Sequence, residues 1–391
     1  IIMSEINSSN FKKEHGDLAP DLVGVSELTS PYFFVPPSGD TASRPEDCEP
    51  GTLRFNTDHG SLEIFRGKTI GWEQIQRVDS QYLGDGSTGT GTRAINAGGY
   101  DSPNTTNVNT IDYNTIEIQS NSVDFGDMTQ TTQHPGAVCD RTRYVNMGGS
   151  VPSATNVIEF VTVSSTGNAS DFGDISASNV AKAPYSGGDR TRGVFGGGGS
   201  PGNTNALHYI TIQSAGNSVD YGDLVSEPGQ YKMGNVASTT RGLIMGNYAP
   251  GGDSHANHNT IEFITIATLG NGQDFGDLTS TSSNHASSSN SVRAIRLGKW
   301  PTSDIIDFVT IATLGNAIDF GDLPSGIYDT SSAANRTRII QISGNGPSAP
   351  VYLTNTITFV EIATTGDAKD FGDVTQARRG HASNSNGHGG L

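Results

Sequence analysis

The chain has 391 residues, with 40 Asp and Glu against 23 Lys and Arg and a formal net charge of −17. That excess of negative charge argues against an electrostatic grip on nucleic acid. With 50 Gly, 17 Pro and 33% hydrophobic residues, the composition favours short strands and turns over long amphipathic helices. No stretch approaches the ~20 consecutive apolar residues of a membrane helix, so no membrane insertion is expected.

In chain order, residues 1–50 show no regular period and contain Pro20, Pro31, Pro36, Pro37, Pro45 and Pro50, which predicts an extended N-terminal arm. Residues 51–79 read as a small β-hairpin module of three strands. Leu53, Phe55, Leu62 and Ile64 alternate with polar residues around Thr57-Asp58-His59-Gly60, and Trp72 is placed to cover one side. Cys48 and Cys139 lie in different segments, so both read as plain thiols.

From residue 80 to 391 the chain repeats. Asp-Phe-Gly-Asp starts at Asp124, Asp171, Asp274, Asp319 and Asp370, with Asp220-Tyr221-Gly222-Asp223 as a sixth copy; successive copies start 47, 49, 54, 45 and 51 residues apart. This is the spacing of four-stranded propeller blades. The motif aromatics are Phe125, Phe172, Tyr221, Phe275, Phe320 and Phe371, and each follows a second aromatic (Tyr113, Phe160, Tyr209, Phe263, Phe308, Phe359) by 12 residues. A fixed interval predicts two paired strands and a common turn, for which the intervening Gly-Asn or Gly-Asp supplies the residues. A third element is the recurrent Arg93, Arg143, Arg192, Arg241, Arg293 and Arg338, followed by glycines expected at a crowded axis. The interval from this Arg to the next aromatic varies from 15 to 22, which places insertions in one connection of each unit and on one face. Only 20 residues follow Phe371, too few for a seventh unit. Their expected role is a strand, near 376–386, that joins the first unit and closes the ring.

Chemical motifs are few. Asp-Phe-Gly occurs in kinases, but the Gly-rich loop, strand Lys and His-Arg-Asp loop that give it meaning there are not found. Six periodic copies favour a structural role, with the aromatic packed between blades and the Asp residues capping backbone N–H groups or pairing with the recurrent Arg. Calcium held by these Asp residues is a weaker alternative, and no cofactor is expected. The Gly196–Gly199 run lacks the following Lys-Ser or Lys-Thr of a phosphate cradle. His255 and His258 have a spacing open to metal but read as solvated loop histidines, as do His381 and His388 in the closing segment; no metal ligand and no catalytic residue is assigned. Tyr100, Tyr248, Trp300 and Tyr352 sit in the variable connections, where they either stack on sugar rings or a partner, or anchor neighbouring loops.

The order of strands resembles a kelch-type propeller. Units such as NVIEFVTVSSTGNASDFGDI with TRGVFGGG resemble the kelch-like repeats of structural proteins from marine tailed phages, notably cyanophages, although Phe or Tyr stands where ordinary kelch repeats carry Trp. Residues 51–73 resemble a hairpin segment of virion fibre and decoration proteins. The resemblance implies an all-β chain: a six-bladed kelch-like propeller closed by the C-terminal strand, preceded by the arm and the hairpin module. It further implies a non-enzymatic virion protein, a tail fibre or capsid decoration, oligomeric within the particle. Its N-terminal region would hold other virion proteins, and its propeller would meet a host-surface glycan or protein. The alternative is a secreted propeller that binds or cleaves polysaccharide, whose mark would be paired carboxylates converging at one mouth.

Overall fold

The computed structural model describes residues 36–74 and 91–391, apart from 46, 59–60, 70, 102–105, 152, 177–184, 200–202, 226–233, 235, 250–255 and 348–352. The chain forms two units, residues 1–77 and 78–391. In the first, Leu53–Asn56, Ser61–Phe65 and Trp72–Gln74 form the antiparallel strands expected of the hairpin module. Ser38–Gly39 adds a fourth strand, parallel to Leu53–Asn56, so the sheet draws on residues read as arm. Trp72 packs on Phe65 with centroids 5.5 Å apart and lies under the Arg54 guanidinium at 5.7 Å. Within this small sheet Glu63 is fully buried, and Arg44 and Asn56 bond its carboxylate. The Arg44 bond, more than any other influence, holds the Glu63 carboxyl below its ordinary value.

The second unit is all-β and propeller-like, built from antiparallel sheets in a recurring order. Sheet 2 shows the pattern: Gly136–Cys139, Arg143–Met147, Val157–Thr162 and Ser170–Asp174 pair in sequence. Sheet 3 (Tyr185–Gly188 to Val219–Asp223), sheet 5 (Ala286–Ser289 to Ile318–Ile327) and sheet 6 (Ser331–Ala334 to Lys369–Asp373) repeat it. Sheet 4 has three strands, Arg241–Ala249, Ala256–Thr265 and Gln273–Ser282, with an isolated Ala237–Gly242 bridge in place of its first strand. In sheet 1 the chain's last strand, Ala382–Ser385, takes the first position beside Arg93–Ala97, ahead of Thr110–Thr115 and Val123–Asp127.

The motif aromatic has the same physical reason in every sheet. In sheet 2, Glu159 faces Asp171 and Ile158 faces Gly173, so Phe172 is the extra residue of a β-bulge and turns inward. The same register break recurs in all six sheets. It brings each motif aromatic edge-on to the aromatic 12 residues earlier, with centroids 5.7–6.4 Å apart. As expected, these rings pack between sheets. Phe125 shares a core with Cys139 and Val161 of sheet 2, and Phe172 one with Phe195 and Ile210 of sheet 3. The series ends with Phe371 of sheet 6 beside Ala94 and Ile116 of sheet 1. Burying one such side chain contributes about 1.5–3 kcal/mol.

Three further joints recur from sheet to sheet. Each recurrent Arg stacks on its own sheet's aromatic at 4.3–4.8 Å. Its Nη1 also donates to a backbone oxygen of the next sheet, from Arg93 to Val163 (2.7 Å) through Arg293 to Ile362 (2.8 Å), and Arg338 reaches Glu117 of sheet 1 (3.1 Å). The motif Asp carboxylates are exposed or, at Asp277 and Asp373, half-buried, and they pair with neither Arg nor backbone, contrary to expectation. The backbone N–H of the second Asp is instead the group that is capped. Asp127 N donates to Asn168 Oδ1 of the next sheet (3.0 Å), and Asp373 N to Asn121 of sheet 1 (3.0 Å). The Gly-Asn pair is therefore not the hairpin turn, which falls earlier, at Thr162–Ser165 in sheet 2; it docks on the outer strand of the preceding sheet. The motif glycine makes room for it: a Cβ on Gly126, where φ is +148°, would lie 2.5 Å from Gly167 O.

The third joint lies deeper. The residue between the Ile or Leu and the aromatic of the third strand is buried and polar in all six sheets: Asp112, Glu159, His208, Glu262, Asp307 and Thr358. Thr129, two residues past the motif of sheet 1, donates both N–H and hydroxyl to Glu159 Oε2 at 2.7 Å. Thr279 does the same to Asp307, and Val225 N donates to Glu262. Burial outweighs these bonds and raises the Glu159 carboxyl above its ordinary value. At the one place where the donor position is Pro324, which has no N–H, the facing residue is the neutral Thr358.

The crowded interior is also not where the glycines predict. The first strands are GAVC, YSGG, ASSS, SSAA and ASNS, each buried throughout; those of sheets 1 and 2, 2 and 3, 5 and 6, and 6 and 1 touch, with sheet 4 between YSGG and ASSS. Asn384 donates to Ala137 O (3.1 Å), Ser186 Oγ accepts from Ala137 N (3.1 Å), Tyr185 donates to Val236 O (3.2 Å), and Ser289 Oγ donates to Ala237 O (2.8 Å). Small side chains permit this approach.

Candidate binding surfaces

Because strands alternate in direction, each sheet has two ends. The loop end carries the connections from second to third strand and from one sheet to the next. The turn end carries the other two connections. At the loop end, the residue two places before the first strand has a left-handed backbone in sheets 2, 5, 6 and 1: His134 (φ 55°), Asn284 (53°), Asp329 (54°) and Gly380 (61°). These are residue types that tolerate this conformation. Asp329 N donates to Asn284 O (2.6 Å), Gly380 N to Asp329 O (2.9 Å) and His134 N to Gly380 O (2.6 Å), a head-to-tail chain across four connections. His134 Nε2 lies 3.0 Å from Asp329 Oδ1, and Arg379 Nε lies 3.8 Å from Asp329 Oδ2.

Of the residues expected to bind partners, Tyr100, Tyr248 and Trp300 fall at this end, in unequal settings. Tyr100 is half-buried, bridges Arg379 through backbone bonds of 2.8 and 3.2 Å, and lies under its guanidinium at 5.1 Å; it anchors its loop. Trp300 is 45% exposed and packs edge-on against the half-buried Tyr328 at 4.8 Å, a pair that the sequence does not connect. Tyr248 pairs with Asn257 in the long hairpin of sheet 4, and Tyr352 lies outside the described residues. Of the histidine pair, His258 is an exposed strand residue and His255 lies outside the described residues. Among the described residues no cluster of three His, Cys, Asp or Glu is arranged to hold a metal ion. Burial pushes the Cys139 thiol well above its ordinary value, keeping it protonated.

At the turn end, each first-to-second-strand connection opens on a side chain that accepts backbone N–H bonds. Asp140 Oδ1 accepts from Thr142 and Arg143; Asp189, Ser238, Asn290 and Asn335 repeat this, and Asn386 accepts from Arg93 N (2.9 Å) in sheet 1. The next residue in each connection is Arg141, Arg190, Thr239, Ser291, Arg336 or Gly387, and these six equivalent positions line one cavity of about 160 Å³. Residues 387–391 run along its wall. Arg190 donates to Leu391 O through Nε (2.9 Å) and Nη2 (2.6 Å), with Arg141 Nη2 at 3.5 Å from the same oxygen. Burial, and then the like charge of Arg190, pull the Arg141 guanidinium below its ordinary value. The sequence carries a signal for this site that went unread, because Arg-Thr-Arg replaces the bare Thr-Arg in three units.

His381 and His388 are not solvated; both are buried because the closing segment runs into the interior. His388 Nε2 donates to Cys139 O (2.7 Å) and Nδ1 accepts from Gly390 N (3.1 Å), which fixes a neutral ring. Burial holds its imidazole below the ordinary value, against the opposing pull of the Cys139 bond. The unfolded chain takes up this proton near pH ~6.5, so the contribution of His388 is complete above that value and falls as pH drops below it. His388→Gln is expected to flatten the loss of unfolding free energy between about pH 7 and pH 5, measured by chemical denaturation. An unchanged slope would refute the assignment.

Neither protein-family models nor curated proteins match this chain.

Proposed function

We propose that the six sheets are the blades of a closed kelch-like propeller, and that the chain is a non-enzymatic structural protein of a tailed-phage particle. In this reading the region before the propeller attaches to other virion proteins, and the loop end faces a host-surface glycan or protein. The resemblance of the repeat wording and of residues 51–73 to virion proteins supplies the setting. The observation that carries the reading is the contrast between the two ends. Joints made by the third-to-fourth-strand turns repeat from sheet to sheet, whereas the second-to-third-strand connections of the loop end range in length and residue type among the sheets, with Trp300 exposed there. Uniform joints make a rigid support, and unequal loops on a rigid support make a surface able to discriminate ligands. Closure is supported by the cavity lined from all six sheets and by the bonds from sheet 6 to sheet 1.

The test is to locate the protein in purified particles by mass spectrometry and imaging, and to repeat this with a chain lacking residues 1–77. The shortened protein is expected to fold with an unchanged melting temperature and to be missing from particles. Normal incorporation of the shortened chain would overturn the attachment role, and failure to find the full chain in particles would overturn the virion reading.

A further inference from the structure

At the turn end, consecutive sheets meet through the first-to-second-strand connection of one and the third-to-fourth-strand turn of the next, and most of these joints are bridged by a side chain. Gln213 Nε2 donates to Asp140 and to Thr142 Oγ1 (2.9 Å) between sheets 2 and 3, and Asn335 Nδ2 donates to Glu117 Oε1 (2.9 Å) between sheets 6 and 1. Asn290 Nδ2 donates to Arg336 O (2.9 Å) between sheets 5 and 6, and Asn386 Nδ2 to Arg141 O (3.4 Å) between sheets 1 and 2. Between sheets 3 and 4 the position still carries the carboxylate of Asp189. Between sheets 4 and 5 both bridging positions are cut short. Ser238 stands where the other sheets have Asp or Asn, and among the described residues its hydroxyl bonds Thr240 and Arg241 of its own turn alone. Ala312 stands where sheets 3 and 1 have Gln213 and Glu117. The two short side chains leave a cavity of about 250 Å³, whose walls carry Thr239, Thr240, Arg241 and Ser291, with Ile311 and Ala312 as its apolar side.

We infer that this cavity is a binding site for an N-acetylated amino sugar. The group that two other joints place here is a planar amide: Nδ2 of Asn290 and of Asn386 donates to a backbone oxygen of the next sheet's connection, and the corresponding oxygen between sheets 4 and 5 is Ser291 O. An acetamido group offers the same N–H to that oxygen, a carbonyl oxygen to the surrounding hydroxyls, and a methyl to the apolar side at Ala312. Hydroxyl side chains both donate and accept, as the hydroxyls of a sugar ring do, whereas a bare anion would call for donors alone. Arg241 is fixed at the cavity by its stacking on Phe263 at 4.7 Å and by its bonds to Ile311 O (2.9 Å) and Ala312 O (3.1 Å). Sites for drug-sized ligands enclose about 300–1,000 Å³, so about 250 Å³ limits the occupant to one ring and its substituent. The site lies at the end opposite the unequal loops; it goes beyond the recognition surface proposed above and does not depend on the virion reading.

Calorimetric titration of the full chain with N-acetylglucosamine tests it, with glucose and acetamide as comparison ligands. Saturable binding of the amino sugar is expected, at least about tenfold tighter than that of glucose, which lacks the amide, or of acetamide, which lacks the ring. Two variants fill the cavity with side chains that this chain already uses at equivalent positions. Ser238→Asn introduces the residue of sheets 5, 6 and 1, and Ala312→Gln that of sheet 3. Each is expected to melt as the parent does and to weaken binding about tenfold or more. If one of them melts below the parent, the other decides. Binding that fails to saturate, equal affinity for the amino sugar and glucose, or equal affinity in the parent and a stably folded filling variant would overturn the proposal. Acetamide that binds as tightly as the amino sugar would also overturn it, and would assign the cavity to an amide on another carrier, such as a protein side chain.

Discussion

A chain cut after Asp373 is expected to lose the cooperative fold of its second unit. The missing segment supplies the first strand of sheet 1, the Asn386 acceptor of its turn, and Arg378, which is fully buried. It also supplies the links from Asn384 to Ala137 and from Ser385 to Ala334, which join the first strands of sheets 2 and 6 through sheet 1. Without it, Arg93–Ala97 becomes an open edge, buried aromatic surface is exposed, and open edges of this kind drive association. Circular dichroism on heating and gel filtration measure the outcome. A monomer with the parent's melting temperature would show that the last strand is dispensable.

The second large effect is expected at one ion pair. Arg378 Nη2 lies 2.8 Å from Asp112 Oδ1, both side chains are fully buried, and Asn96 and Thr375 also donate to Asp112. Arg378→Met leaves a buried carboxylate without its countercharge and is expected to cost about 3–5 kcal/mol of unfolding free energy. Changing both residues, in Asp112→Asn/Arg378→Met, removes the uncompensated charge and is expected to cost clearly less than the sum of the single changes. Denaturant titrations of the four proteins give the coupling directly. Additive losses would mean that the two side chains act independently and that Arg378 serves only as packing.

Much of this architecture is legible in the sequence, and the parts that are not share a physical cause. The 12-residue interval from Phe160 to Phe172 is readable because both rings belong to one hairpin, where local geometry fixes spacing. The strand formed by Ala382–Ser385 follows from counting residues after Phe371. By contrast, strands such as ASSS and SSAA carry neither alternation nor bulk, since their burial comes from the first strands of neighbouring sheets, distant in sequence, rather than from their own hydrophobicity. The docking of Asn168 on Asp127 is likewise a contact between units, so Gly-Asn resembled an ordinary hairpin turn. At the turn end, Arg141, Arg190 and Arg336 are overshadowed by the recurrent Arg two residues further on. At the loop end the lengths pointed to a variable surface, yet Trp300 finds its companion in Tyr328 only through folding.

The joint between Pro324 and Thr358 has a bearing on how such a chain could arise. Most contacts between sheets are interchangeable: an Arg meets a backbone oxygen and an Asn meets a backbone N–H, so a duplicated unit would fit beside any other. The buried polar joint is private. A unit ending in Thr129 or Thr279 offers two donors and suits a carboxylate, while one ending in Pro324 offers none and suits Thr358. Shuffling the units of this chain would therefore strand a buried carboxylate opposite proline. Their present order behaves as a sentence with fixed syntax, even though its words look alike.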